Sequence, residues 1–248
     1  MFPTMNTGAP PVIIEAHRGD SLNAPENSMA AFKRAFELGV PAIELDIHPA
    51  IDGTLMVIHD DTVDRTTNGA GAVRDMTVEE LLNLDAGIKF APEFAGEKIP
   101  TLEDVFNMLA PGSIRLNIEI KASPPGMNVP LTLVNLLRRF GQHRHYVVSS
   151  FNQHSLLAVR TIAPEITLAL IGNGPEILPQ AQLHGFPWIH GYFPTVDEQL
   201  ITRAHAAGIR VNIWTMDDPA RLAYWRKINI DKICTNCPAK MLAPAVQN

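Results

Sequence analysis

Eight short apolar, β-branched runs punctuate this chain, with stretches of helical spacing between them, and few folds accommodate that many alternations in one pass. The runs are VIIEA (12–16), PAIELDI (41–47), IRLNIEI (114–120), YVVSS (146–150), ITLALI (166–171), WIH (188–190), IRVNIW (209–214) and DKICT (231–235). Segments such as SMAAFKRAFELG, TLEDVFNMLA and QHSLLAVRTIA separate them, with apolar residues three and four apart as on an amphipathic helix. Helix starts are predicted at Asn27, Thr101 and Asn152, and helix ends at Gly39, Gly141 and Gly208. Eight strand–helix units predict a closed (β/α)8 TIM barrel. An open doubly wound sheet is the competitor, but eight units would be many for it. The rhythm breaks once, over residues 48–100, where a short strand (54–58), the turn-rich run DDTVDRTTNGAG and a helix at TVEELLNL predict a small insertion after strand 2. With no repeat, low-complexity stretch or linker, residues 1–248 are expected to form one domain.

A barrel of this size needs a large core, and a chain that is 46% hydrophobic and 19% charged supplies one. The net charge of −6 offers no general footprint for nucleic acid, although a local basic pocket is compatible with it. Two cysteines, Cys234 and Cys237, make no disulfide framework. The opening MFPTMNTGAPP has neither the charge nor the apolar run of a signal peptide. No apolar stretch reaches bilayer length, so a cytoplasmic protein without stable membrane association is expected. Barrel surfaces can pair into homodimers, and no stripe of apolar surface is legible here to decide that.

The costly residues lie at strand ends. AIELDI carries Glu44 and Asp46 two residues apart, hence on one face of a strand. Burying two like charges side by side is unfavourable unless something compensates. NIEIK repeats the pattern with Glu119 and Lys121, AHRGD places His17 and Arg18 at the end of strand 1, and the seventh run ends on Trp214. In a barrel these ends converge on one mouth, where barrel active sites sit. Glu44, Asp46 and Glu119 would offer hard oxygen ligands to one divalent cation, Mg2+, Ca2+ or Mn2+. The competing arrangement is a structural network in which the acids pair with Arg18 and Lys121. His17 and His59 are candidate proton carriers, and Arg18 and Lys121 are candidate clamps for an anion such as phosphate. His48 and His190 border strands and are read as packing.

With those residues placed, the sequence resembles the glycerophosphodiester phosphodiesterase family. The stretch from AHRGD through APENSMAAFKRAFELGVPAIELDIHPAIDGTLMVIHDDTVDRTTNGAG matches that family's pattern: His-Arg-Gly, Pro-Glu-Asn-Ser, Glu-x-Asp, an Asp-Gly turn, Val-x-His-Asp and Arg-Thr-Thr. IPTLEDVF, LNIEIK, VVSSF, VNIWTMDD and CTNCP follow in the same order, so the resemblance covers essentially the whole chain. It implies a (β/α)8 barrel with an insertion after strand 2. It also implies a divalent metal on Glu44, Asp46 and Glu119, and acid/base catalysis by His17 and His59. Arg18 and Lys121 would meet phosphate or ligand oxygens, and Trp214 would shape the pocket.

The implied reaction is metal-dependent cleavage of a glycerophosphodiester into glycerol 3-phosphate and an alcohol, with water or the glycerol 2-hydroxyl attacking. A lysophospholipase D acting on lysophospholipids would share the metal and histidines and need an apolar groove, for which SPPGMNVP (123–130) and GYFPTV (191–196) are the candidate loops. A non-catalytic ligand-binding barrel should have lost a histidine or a carboxylate, and none is missing. Two departures from the family pattern stand out: Ala50-Ile51-Asp52-Gly53 replaces the usual Thr-Lys-Asp-Gly turn, and Cys234 and Cys237 form a C-x-x-C at the last strand. Two thiols alone do not complete a zinc site.

Overall fold

The computed structural model describes residues 11–109, 114–121, 123–141 and 145–243. Most of the opening segment assessed above for a signal peptide, residues 1–10, lies outside them.

Eight parallel strands close on themselves: β1 (Ile13–His17), β2 (Ala42–Pro49), β4 (Arg115–Ile120), β5 (Tyr146–Ser150), β6 (Thr167–Gly172), β7 (Trp188–Tyr192), β8 (Arg210–Trp214) and β9 (Lys232–Thr235). Each neighbours the next, and the β1–β2 and β1–β9 pairings shut the ring. Helices α1 (Met29–Glu37), α3 (Leu102–Met108), α4 (Val129–Arg139), α5 (Gln153–Ile162), α6 (Ile177–His184), α7 (Glu198–Ala206), α8 (Leu222–Lys227) and α9 (Pro238–Leu242) follow the strands in turn. This is a (β/α)8 TIM barrel. Its main core lies between the strands' outward faces and the helices, where Ile43, Leu45 and Ile47 pack with Phe32, Leu102 and Leu133. No helix among the described residues is long and apolar enough to cross a membrane.

The predicted insertion is present, though the strand before it runs further than expected. β2 continues past Asp46 to Pro49 because a short antiparallel strand, β3 (Leu55–Val57), pairs with its final residues. Helix α2 (Val78–Asn83) opens on a capping box between Thr77 and Glu80. Ala50, Met56, Ile58, Val63, Val73, Leu81 and Ile99 make a small second core under the insertion.

One predicted helix start moves by a residue. Ser28, not Asn27, caps α1, its hydroxyl accepting from the Ala31 amide. Asn27 instead holds a left-handed backbone (φ 56°) and turns its amide towards β2. Thr101 and Asn152 cap their helices as expected. In the loop before α1, Gly19 (φ 84°) passes so close to Ala31 that a Cβ would sit 2.6 Å from its backbone. Only glycine allows the His17–Arg18 segment to lie there.

Candidate active site

Inward-facing residues of adjacent strands stack in layers, and the uppermost layer gathers nearly every residue singled out from the sequence. Glu44 and Asp46 project from β2 and Glu119 from β4, in a register that pairs Asp46 with Glu119. One oxygen from each of the three carboxylates lies within 4.8 Å of the others. All three residues are buried.

Two cations neutralise this cluster only in part. Arg18 Nε lies 3.0 Å from Asp46 Oδ2, and Lys121 Nζ lies 2.8 Å from Glu119 Oε1 and 3.6 Å from Asp46 Oδ1. The Arg18 backbone amide donates to Glu44 Oε2 (3.0 Å), and Asn27 Nδ2 donates to Asp46 Oδ2 (2.8 Å). Among the described residues, Asp46 Oδ1 is left without a hydrogen bond. Burial disfavours ionisation of all three acids, and they respond differently. At Asp46, Arg18, Lys121 and the Asn27 amide overcome burial and hold the carboxyl below its ordinary value. Burial and the neighbouring Asp46 push Glu44 well up, and they raise Glu119 to about 7.

Two reluctant carboxylates and an orphaned oxygen beside a third are what a hard divalent cation would relieve. The donor set therefore fits the expected cation, and Glu44, Asp46 and Glu119 could hold it. They are the only such cluster of His, Cys, Asp and Glu among the described residues. The C-x-x-C cysteines are both free and buried. Cys234 faces the cavity, while the Cys237 thiol donates to the Asp217 carbonyl (3.2 Å).

His17 and His59 face the same cavity from different segments, β1 and the loop after β3. His17 Nδ1 lies 2.7 Å from Asn236 Oδ1. Asn236 spends its own Nδ2 on Asp217, so that oxygen accepts and the His17 proton sits on Nδ1. Burial, aided by Arg18, pulls the His17 pKa down to about 4, which leaves a neutral ring with a bare Nε2. His59 Nδ1 meets Asp60 Oδ1 at 2.6 Å, and burial lowers its pKa too. His48 donates from Nε2 to the His59 carbonyl (3.0 Å), fixing that segment's backbone as a packing residue would.

From the sequence, Glu26 is read only as a residue that could orient the mouth, and Asp60 and Arg65 have no place in the site. Arg65 donates to both oxygens of Asp60 and both of Glu26, and Glu26 accepts in turn from Arg18 (2.9 Å). One chain of charge thus ties the His59 loop to the guanidinium at the mouth. The Arg-Thr-Thr stretch, noted above only as part of a pattern, was the available signal for it.

These side chains surround a cavity of about 190 Å3. Trp214 forms one wall, with Phe151 edge-on at 5.7 Å and Tyr192 at 5.4 Å, while its indole N–H donates to the His190 carbonyl. Asn117, His190, Asn212 and Cys234 lie at the bottom. A larger, more open groove of about 620 Å3 runs outside the barrel along α3 and α4, and none of the residues described at the mouth reaches it.

Comparison with known proteins gives one consistent result. The model of the glycerophosphoryl diester phosphodiesterase family matches residues 17–240. A glycerophosphodiester phosphodiesterase of Caldanaerobacter subterraneus is 39% identical over 93% of this chain and 96% of its own. One from Bacillus altitudinis is 33% identical over 91% and 94%. Among solved structures, a glycerophosphodiester phosphodiesterase of Agrobacterium tumefaciens superposes with a TM-score of 0.82 at 30% identity, over 93% of this chain and 99% of that one. A phosphodiesterase of Oleispira antarctica, solved with its product sn-glycerol 3-phosphate, superposes at 0.87 and 27% identity, over 94% and 95%. Both its barrel and its sequence make this chain a member of the glycerophosphoryl diester phosphodiesterase family.

Proposed function

We propose that this protein hydrolyses glycerophosphodiesters to glycerol 3-phosphate and an alcohol, with a divalent cation at the Glu44, Asp46 and Glu119 carboxylates and with His17 and His59 as the proton carriers. The supporting observation is the excess of buried carboxylate over base at a mouth that also presents Arg18, Lys121 and two histidines to one cavity. A cation bound there would neutralise the acids and draw charge onto the non-bridging phosphate oxygens.

The chain's own groups divide the remaining work. Arg18 and Lys121, held by Asp46 and Glu119, orient the phosphate from the rim. His17, neutral and with Nε2 bare, takes the proton from the attacking hydroxyl, which belongs to water, or to glycerol C2 in a first step whose cyclic phosphate a water then opens to glycerol 3-phosphate. His59 delivers a proton to the departing alkoxide. Asp60 favours the doubly protonated ring that this requires, and Arg65 keeps Asp60 in position. The Trp214 and Phe151 rings form an apolar wall beside the reacting centre, with Tyr192 packed against Trp214. The barrel and its insertion act as one domain in this reading, because His59 comes from the insertion side and His17 from β1.

A lysophospholipid substrate receives less support. Of the two loops considered for an acyl groove, 191–196 does bring Tyr192 against Trp214. Residues of 123–130 line a separate surface depression with His154 instead.

The test is release of glycerol 3-phosphate from glycerophosphocholine after EDTA treatment and restoration of Mg2+, Ca2+ or Mn2+. Turnover should require the cation, and His17→Ala should lower kcat by roughly 10²–10⁴-fold. A metal-independent wild type, or a His17→Ala variant of unchanged rate, contradicts the reading.

A further inference from the structure

The chemistry above uses the upper layer of the cavity and gives its floor no role. Asn117, His190 and Asn212 lie there, with Asn117 two residues before Glu119 and Asn212 two before Trp214 on their strands. Their exposures are 3%, 1% and 1%. Each still keeps one polar atom without a partner among the described residues: Asn117 Oδ1, His190 Nε2 and Asn212 Oδ1. Three such atoms around one buried space are costly unless something meets them.

The layer beneath decides which of them donate. Glu15 is ion-paired with Lys232 at 2.6 Å and acts only as an acceptor. It therefore turns both amides nitrogen-first, meeting Asn117 Nδ2 at 3.3 Å and Asn212 Nδ2 at 3.0 Å. Both Oδ1 atoms consequently face away from Glu15. Asn117 Nδ2 also lies 3.5 Å from His190 Nδ1, which can only accept there, so the His190 proton sits on Nε2. Burial keeps that ring neutral. The floor thus offers two acceptors and one donor.

We infer that this floor is a hydroxyl-recognition subsite, in which His190 with Asn117 and Asn212 receives the terminal hydroxyl of the substrate's glycerol part. A hydroxyl accepts from His190 Nε2–H and donates to an asparagine Oδ1. An ammonium has nothing to accept with, and a methyl group or acyl chain leaves all three atoms unpaired. The orientation rests on the proposed function, which puts the phosphate at Arg18 and Lys121. Lys121 Nζ reaches back to Glu119 Oε1 (2.8 Å), and two strand residues separate Glu119 from Asn117 in the floor, about 6.6 Å, a span that a three-carbon chain can bridge. The geometry accounts for selection of glycerol diesters over esters of simpler diols.

The experiment compares calorimetric affinities, in Mg2+, for sn-glycerol 3-phosphate and for propane-1,2-diol 1-phosphate, which lacks only the terminal hydroxyl. Wild type should prefer the glycerol compound by roughly 10- to 100-fold, the range expected for a buried polar group left unpaired. His190→Leu should shrink that preference to about threefold or less, and His190→Gln, which restores an N–H donor, should keep most of it. Equal affinities in wild type would mean that the floor holds water alone, and a preference undiminished in His190→Leu would place the hydroxyl elsewhere. Either result overturns the subsite. If His190→Leu does not fold, the wild-type ratio and His190→Gln still decide. A protein with the preference but no turnover of glycerophosphocholine would keep the subsite and lose the proposed reaction, and turnover without the preference would do the reverse.

Discussion

Glu15 and Glu44 point into the same barrel one layer apart, and they meet opposite circumstances. Glu15 has Lys232 at 2.6 Å and an amide from each of Asn117 and Asn212, so one acid faces one base. Glu44 shares its layer with Asp46 and Glu119, against Arg18 and Lys121 alone, and burial and Asp46 push its carboxyl well above the ordinary value. Both layers exclude water to a similar degree. The difference teaches that burial by itself does not mark a functional charge. The lower layer is balanced within the protein and the upper layer is one positive charge short. A pair that is already satisfied reads as architecture, and a deficit reads as a place for something to bind.

Removing one acid from each layer breaks the comparison most directly. Glu15→Gln strands Lys232 in the barrel interior and should cost about 3–5 kcal/mol. That appears as a fall in Tm of roughly 10 °C, with or without divalent cation. Glu44→Gln should act in the opposite sense in cation-free protein, because it removes a charge the site disfavours. A gain of about 1 kcal/mol is expected, seen by thermal melting after EDTA treatment. If both substitutions destabilise the cation-free protein equally, the two layers do not differ as argued.

The smallest effect lies in the pH dependence. Glu119, at about 7 against an ordinary 4.5, carries an extra proton in the folded cation-free chain. Its contribution to stability is complete below pH 4.5 and is lost as pH rises through 7. His17, held at about 4, works the other way: its contribution is complete above pH 6.5 and lost as pH falls through 4. The two oppose each other below pH 6.5, and just above it Glu119, joined by Glu44 whose carboxyl is shifted in the same direction, is unopposed by His17. Cation-free protein should therefore lose a few degrees of Tm between pH 6.5 and 8. A bound cation displaces that proton and should flatten the slope. An equal slope with cation present would count against the carboxylates as ligands.

The barrel was legible because strand and helix periods alternate without ambiguity, and the carboxylates because two strands each carry polar residues on the face that must turn inward. Asn27 was misread because the same amide that caps a helix also serves to hold a carboxylate, and a string of letters does not distinguish the two. Arg65 sits 39 residues from the Glu26 it clamps, inside a turn-rich run with no period to orient it. His190 reads as packing from the sequence and is indeed buried; the inferred subsite turns instead on which of its nitrogens lacks a partner. That is decided by Asn117, 73 positions away, and by the Glu15 beneath. Residues whose role follows from chain direction were readable, and those whose role follows from a partner brought in by closure of the barrel were not.

The most direct measurement is titration of EDTA-treated protein with Mn2+ by calorimetry, in wild type, Glu15→Gln and Asp46→Asn. The deficit in the upper layer predicts one ion per chain in wild type, with binding retained in Glu15→Gln and lost in Asp46→Asn. Failure of wild type to bind, or an Asp46→Asn variant that binds as tightly, would contradict it.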